Sequence, residues 1–456
     1  MTHSSLFPGN LKGKDSSFFD KYMKYFTRFC IATVLALLIV PAHAPADISG
    51  IAWGPYITGT TTDAATIHWK TDIGTTGSVE YATDVESFSD GSIETSPYTG
   101  NDTAIHHLRL EGLEPDTRYY YRVRIGNWSS QISRLMTFPV ENEPITFIVY
   151  GDTQEPQDGQ TQLERHKPVA DAIAREEDPL FVLHTGDLVN DPADMQEWDR
   201  FFLSAGDVIS NSTFYPVAGN HEYLPEKDSP YYRYYLDIFQ AERNYSFDCG
   251  SVHVTVLDSN PGADFYSQED WLERNLSRQH PWSFVAFHHP VYTSSDKNFG
   301  GWRDLRDLWA PHFGDASVDA VFSGHVHAYE RCEADGIPYI TAGTGGGGSY
   351  PLRKPGIPES RVQIEDTLGY VRVQVEPEPG TCIIDYVQVG RIVDGEVVIC
   401  EHPRVMDRLV IRKNTEGFPD LRSGWEALFR IRDRGAFPGY YTTISDVAGY
   451  FWERGR

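Results

Sequence analysis

The sequence predicts a small all-β sandwich over residues 51–140 followed by a larger α/β domain over 146–412, and three observations lead there. First, residues 51–140 alternate apolar and polar over short stretches, with Ile67 and Trp69, then Tyr119, Tyr121, Val123 and Ile125, on one face and turn residues between. Second, beyond a short linker, ENEPI at 141–145, apolar runs alternate with amphipathic segments as βαβ units do. The runs are ITFIVY, LFVLH, TFYPVA, SFVAF and VDAVF, and the segments are LERHKPVADAIAREE, PADMQEWDRFFLSAG, QEDWLERNLSR and GWRDLRDLWAPHF. Third, each of the five apolar runs ends in a short polar motif, which is where open α/β sheets collect functional residues.

Each element has its own warrant. The sandwich strands carry period-two patterning, and the sandwich itself reads as a spacer or a dimer prop without ligands. Near 370–412, GYVRVQVEP, TCIIDYVQV, EVVICEHP and DRLVIRK read as the antiparallel finish of the second sheet. Residues 415–456, rich in aromatics and arginines with partial helical spacing at Trp425, Leu428, Phe429 and Ile431, form a C-terminal extension without an assigned role. At the other end, FCIATVLALLIV at 29–40 is too short to span a bilayer. It follows Lys21, Lys24 and Arg28 and closes on Ala42-His43-Ala44. That is the pattern of a secretory signal peptide over 1–44, with Met23 an alternative start, and it predicts a secreted or periplasmic protein. Four cysteines then remain, Cys249, Cys332, Cys382 and Cys400, and Cys382 with Cys400 is the local pair expected to bridge.

The five motifs are GDTQ at 151–154, GDLVN at 186–190, GNHE at 219–222, HHP at 288–290 and GHVH at 324–327. Carboxylate, imidazole and a neutral amide oxygen suit Zn, Mn or Fe better than Ca, which asks for mostly oxygen ligands. Two metals sharing one carboxylate are the expected arrangement, with Asp187 as the bridge. Any one motif alone could be an ordinary strand-end turn; all five in one order point to a metal site. The glycine run TAGTGGGGSY at 341–350 lacks the GK[ST] ending of a P-loop and reads as a loop passing close to the metals.

The order GDx…GDxxx…GNH[DE]…HxP…GHxH resembles that of the calcineurin-like metallophosphoesterases. Two further stretches, GHVHAYER at 324–331 and LEGLEPDTRYYYRV at 110–123, resemble purple acid phosphatases with their N-terminal fibronectin type III-like domain. The resemblance covers about residues 50–378. It implies a metallophosphoesterase β-sandwich flanked by helices, preceded by a fibronectin/immunoglobulin-like sandwich. It also implies that Asp152, Asp187 and His327 hold one metal, that Asp187, Asn220, His288 and His325 hold the other, and that His221 touches the phosphate and protonates the leaving oxygen. His289 alternates away from His288 along the chain, so a structural role is expected for it.

The sequence departs from the family at three places. Where purple acid phosphatases carry the tyrosine that ligates Fe(III), this chain has Asn190, so divalent ions and a colourless protein are expected. Where other metallophosphoesterases carry a histidine two residues after the first Asp, this chain has Gln154; Gln154 and Asn190 are left as metal ligands or as residues behind the ligands. The stretch where the family brings substrate-binding histidines reads SDKNFGG, leaving Lys297 or Asn298 for that task, although a solvated Lys297 is the simpler reading.

Charge narrows the partners. The chain has a formal net charge of −26; residues 1–44 carry five Lys or Arg and two Asp, a net of +3, so the remainder stands at −29. Such a chain repels a polyphosphate backbone and shows no basic run, which disfavours nucleic acid. A small phosphoester is the expected substrate, hydrolysed by a metal-bridging hydroxide. A stable membrane span after cleavage of the leader is not expected, and a homodimer is allowed. A phosphodiesterase of the same fold and an inactive metal-binding surface protein are the alternatives to a phosphomonoesterase.

Overall fold

A computed structural model describes residues 50–413, apart from 73, 92, 98–103, 141–142, 157, 225–229, 262, 279 and 379. The leader with Met23 and the 415–456 extension lie outside the described residues.

The first eight strands form two facing sheets. One holds β1 (Ile51–Thr58), β2 (Ala64–Thr71) and β5 (Ile105–Glu111); the other runs β4 (Glu94–Pro97), β3 (Ser78–Ala82), β6 (Arg118–Ile125) and β7 (Trp128–Ser129), with β8 (Ser133–Met136) also paired to β6. Their shared interior takes Ile67, Trp69, Tyr121 and Val123, all fully buried, as the alternation in β6 requires.

Two larger sheets follow. The first has the order β11 (Thr213–Pro216), β10 (Phe181–His184), β9 (Ile145–Tyr150), β19 (Thr367–Glu376), β20 (Thr381–Val393) and β21 (Glu396–Arg412). The second has the order β12 (Tyr245–Cys249), β13 (Val252–Val256), β14 (Trp282–Ala286), β15 (Ala320–Ser323), β17 (Ile337–Ala342), β16 (Tyr329–Ala334) and β18 (Ser360–Ile364). Strands β9 to β11 are mutually parallel, as are β13, β14, β15 and β17. Their apolar runs are continuous because both faces are buried. Between the sheets Phe147 stacks on Phe181 at 4.6 Å and meets Phe284 edge-on at 5.3 Å.

Helices α1 (Gln162–Ile173), α2 (Met195–Ile209) and α3 (Pro230–Phe239) share a core with the outer face of the first sheet, and α4 (Phe265–Leu276) and α5 (Arg303–Asp315) with that of the second. The Asp194 carboxylate accepts from Gln196 N to start α2, which then buries Trp198, Phe201, Phe202, Ala205, Val208 and Ile209 at helical spacing. The tyrosine-rich α3 escaped the sequence reading, although Tyr232, Tyr235, Ile238 and Phe239 line one buried stripe. The small sandwich docks on α2 and α3: Trp53 stacks on Phe202 at 4.6 Å, and the Tyr56 hydroxyl donates to Ile238 O at 2.7 Å.

Two expectations are corrected. Strands β19 to β21 extend the sheet begun by β9 to β11, because β19 pairs antiparallel with β9, and EVVICEHP and DRLVIRK are one strand. Cys382 and Cys400 do not bridge. In the β20–β21 ladder Cys382 faces Ile411 while Gly390 faces Ile399, so the two sulfurs are separated along the strands by on the order of 20 Å. All four described cysteines are free thiols.

One buried ion pair ties the two large sheets together. Arg331 of β16 donates through Nε to Asp407 Oδ2 of β21 at 2.7 Å, and the Tyr329 hydroxyl donates to the same oxygen at 2.8 Å. Removing one member of such a pair leaves the other charge buried. Asp407→Ala is therefore expected to cost about 3 kcal/mol, the low end for buried pairs because Glu333 also holds Arg331 at 2.9 Å. Urea unfolding measures it, and a loss near zero would remove this pair from the account of sheet packing.

Candidate metal centre

Residues that follow five parallel strands meet at one edge. Asp152 and Asp187 leave β9 and β10 with φ of 58° and 57°, and His325, after β15, has φ 65°, left-handed conformations that turn each side chain inward from its strand. The turns are tight enough to exclude a Cβ. At Gly219 it would stand 2.1 Å from Asp187 Oδ1, and at Gly324 2.4 Å from Asp152 Oδ2.

Asp187 lies at the middle. Its Oδ1 accepts from His221 N at 2.9 Å, and its Oδ2 is 3.2 Å from His288 Nε2 and 3.3 Å from Gln154 Nε2. On one side stand Asp152 and His327, with Asp152 Oδ1 3.4 Å from His327 Nε2. On the other, Asn220 Oδ1 is 2.7 Å from His325 Nδ1 and 3.2 Å from His288 Nε2, and those two nitrogens are 3.2 Å apart. The six residues expected as ligands are thus in one place.

The outward nitrogens of two histidines are already committed. His288 Nδ1 donates to Thr185 O at 2.8 Å, and His327 Nδ1 donates to Gly348 O. Each ring is left with Nε2 facing inward, the tautomer a metal ligand needs. Asp152 Oδ2 and Gln154 Oε1 are buried with no hydrogen-bond partner. Converging acceptors with orphaned oxygens fit a pair of cations, and a half-turn of the Gln154 amide would add its oxygen to the Asp152 side.

Electrostatics agree with that fit. Burial works to raise the Asp187 carboxyl, but His288, His221 and His325 together hold it well below the usual carboxylate range. Burial works to lower His288, yet Asp187 and Asp152 push it up to about 9. Burial and the neighbouring His288 bring His325 down to about 3. A proton on His288 beside ionised Asp187 supplies the positive charge the cluster calls for.

Asn190 contributes through its backbone: its carbonyl accepts from His221 Nδ1 at 2.7 Å, and its N–H donates to Glu197. Lys297 is an exposed residue that nonetheless lies beside the site. Its Nζ lies 3.5 Å above the Tyr350 ring, which stacks on His327 at 4.0 Å. Burial lowers its pKa while Asp187 and Asp152 raise it. Asn298 serves as a turn residue through its backbone, accepting from Gly301 N at 2.9 Å. His289 departs from the expectation of pointing away. Because β14 ends at Ala286, the HHP segment does not alternate as a strand, and the His289 ring lies 4.6 Å from that of His325, with Nδ1 3.0 Å from Ser259 Oγ.

A family model for calcineurin-like phosphoesterases matches residues 145–329, and one for the purple acid phosphatase N-terminal domain matches 54–134. Purple acid phosphatase 18 of Arabidopsis thaliana is 31% identical over 68% of this chain and 75% of its own length. The chain belongs to the purple acid phosphatase family. It is thus a metal-dependent phosphatase by family. Another member from Arabidopsis thaliana, Fe(3+)-Zn(2+) purple acid phosphatase 12, is 30% identical over 50% of this chain and 52% of its own length. The chain spans between about half and three quarters of the length of such curated purple acid phosphatases. A solved purple acid phosphatase from yellow lupin seeds shares the fold, with a TM-score of 0.63 and 18% identity, covering 79% of this chain and 74% of that one.

Within this purple acid phosphatase framework the sequence reading missed Glu222. Its buried carboxylate accepts from Asp187 N at 2.9 Å, Leu188 N at 2.8 Å and Gly219 N at 2.8 Å, pinning the turn that carries Asp187. Burial and Asp187 push it up to about 7. The signal is present in GNHE, whose fourth residue is a carboxylate three positions beyond the glycine whose N–H it accepts. The family-typical run GHVHAYER is similarly explained beyond its histidines: Glu330 accepts from Thr293 Oγ1 and Ser294 N, both at 2.8 Å, and so holds the loop leading to Lys297.

Because Asp187 and Asp152 push His288 up against the effect of its burial, a metal entering beside it must displace a proton, whereas Asp187 is held below the usual carboxylate range and is already ionised. Apparent zinc affinity, measured by chelator competition, is expected to fall about tenfold for each pH unit as pH drops from 8 to 6. An affinity independent of pH over that range would remove His288 from the ligand set.

Proposed function

We propose that this chain is an exported phosphomonoesterase that hydrolyses small organic phosphates at two divalent metal ions, one held by Asp152, Asp187 and His327 and the other by Asp187, Asn220, His288 and His325. The observation that carries the reading is the place of Asp187, whose carboxylate lies between both groups of donors. The apolar leader at 29–40 with its Ala42-His43-Ala44 site supports export.

Two cations held there would activate water for in-line attack at phosphorus and offset charge on the phosphoryl oxygens. The chain's own groups do the rest. His221 commits Nδ1 to Asn190 O, so Nε2, 3.9 Å from Asp187 Oδ2, is the nitrogen that faces the site. Protonated there, it can deliver a proton to the leaving oxygen. Lys297 sits across Tyr350 from His327, where its ammonium can meet a phosphate oxygen and take the place of the missing substrate histidines.

Three variants assayed with chromogenic mono- and diesters, alongside metal content, test these roles. Asp187→Asn is expected to lose activity and metal together; a folded variant that keeps both metals would overturn the bridge. His221→Ala should keep its metals and lose about 10²–10⁴-fold in kcat. Lys297→Ala should lose at least several-fold in kcat/KM, about 1 kcal/mol of transition-state binding, and unchanged kinetics would return it to solvent. Faster diester than monoester hydrolysis by the unmodified protein would move the assignment to a phosphodiesterase, and metal binding without hydrolysis of either would make it a binding protein.

Metal valence has a separate test. With Asn190 offering only a neutral amide, no tyrosinate-to-iron charge transfer is expected, and the metal-loaded protein should show no visible band in the purple region. Such a band would refute the divalent assignment.

A further inference from the structure

At the opposite edge of the seven-stranded sheet, where the parallel strands begin rather than end, three more metal-binding side chains face one another. Asp248 and His253 are cross-strand partners in the β12–β13 hairpin, and His280 lies two residues before β14. His253 Nδ1 is 2.6 Å from Asp248 Oδ1, and His280 Nδ1 is 3.7 Å from the same oxygen. One ligand atom from each lies within 4.8 Å of the others.

The hydrogen bonds around His253 decide what the cluster needs. The Asn275 amide donates through Nδ2 to Ser246 Oγ, and its Oδ1 accepts from Thr255 Oγ1, both at 2.7 Å. That orientation puts an oxygen, an acceptor only, 3.0 Å from His253 Nε2, so Nε2 carries a hydrogen. In the neutral ring the Nδ1 lone pair then faces the Asp248 carboxylate; at 2.6 Å the two can share only a proton, and since ligand atoms on one zinc stand about 3.3 Å apart, the exposed Asp248 side chain must swing outward to admit a metal. A histidine whose outer nitrogen donates to a fixed carbonyl oxygen is the arrangement typical of metal ligands.

We propose that Asp248, His253 and His280 form a third metal site, separate from the dinuclear centre, that takes zinc or another borderline divalent ion. Two imidazole nitrogens and one carboxylate oxygen match zinc, with water completing the tetrahedron. The His253 side chain is 2% exposed and that of Asp248 56%, so the site is rooted in the sheet and opens to solvent through the carboxylate. The two imidazoles are stacked, with centroids 4.3 Å apart, so His280 must turn to point at a common ion. It lies outside any strand or helix, and its Nε2 is buried with no hydrogen-bond partner, so turning it breaks no hydrogen bond at that nitrogen. A metal here would staple the start of β14 to the β12–β13 hairpin, a structural rather than a catalytic role.

The test uses the full chain equilibrated at buffered submicromolar free zinc, with bound zinc counted by plasma mass spectrometry. His280→Ala and Asp248→Asn, each partly exposed and outside the catalytic machinery, are each expected to hold one equivalent less than the unmodified protein. Phosphatase activity should change by less than about twofold, and the rise in Tm on adding zinc should shrink. Zinc content equal to that of the unmodified protein in folded variants would overturn the proposal and leave a proton as the cation between His253 and Asp248. Loss of zinc accompanied by loss of activity would overturn the separation of this site from the dinuclear centre.

Discussion

The burial of one carboxylate, Asp187, is the constraint on which the rest of the structure depends. An ionised group at 1% exposure is sustainable only if charge and hydrogen bonds surround it. His288 supplies the charge, the His221 N–H supplies one bond, and Glu222 grips the peptide nitrogens of Asp187, Leu188 and Gly219 from behind. Those partners come from β10, β11 and β14, so both large sheets must be in register before the carboxylate is accommodated.

Close approach is the second constraint. Gly219 and Gly324 stand where a methyl group would overlap an aspartate oxygen, and Gly347, from the glycine run, would bring a Cβ to 2.7 Å from the His327 ring. Arg165, nearly fully buried on α1, donates to Gly347 O at 3.1 Å and holds that loop against the ring. The run serves as packing against the centre, with its carbonyl at Gly348 fixing the tautomer of His327.

The small sandwich is bound to the catalytic unit through aromatic stacking and tyrosine hydroxyls rather than held as a loose spacer. Trp53 against Phe202, Tyr56 to Ile238 O and Tyr121 to Ser210 O place its contacts on α2, on α3 and just beyond the end of α2. Those helices cover β10 and β11, the strands that deliver Asp187 and Asn220. The docked domain therefore supports the layer behind the site.

Periodicity determined the strand and helix alternation, and motif order determined the family resemblance that implied the ligand residues, because continuous apolar runs and strand-end polar motifs are local features. Residues 145–150 read as a strand and are one, and Asp152, Asp187, Asn220, His288, His325 and His327 could be named before any fold was seen. The tertiary structure decided what depends on contacts between distant segments. It joined β19 to β9, kept Cys382 from Cys400, turned His289 toward His325 and laid Lys297 over Tyr350. It also gave Glu222 its role and brought His280 to Asp248 and His253. None of these has a sequence period, because register between strands and the packing of side chains across a turn are set by neighbours that lie tens to hundreds of residues away.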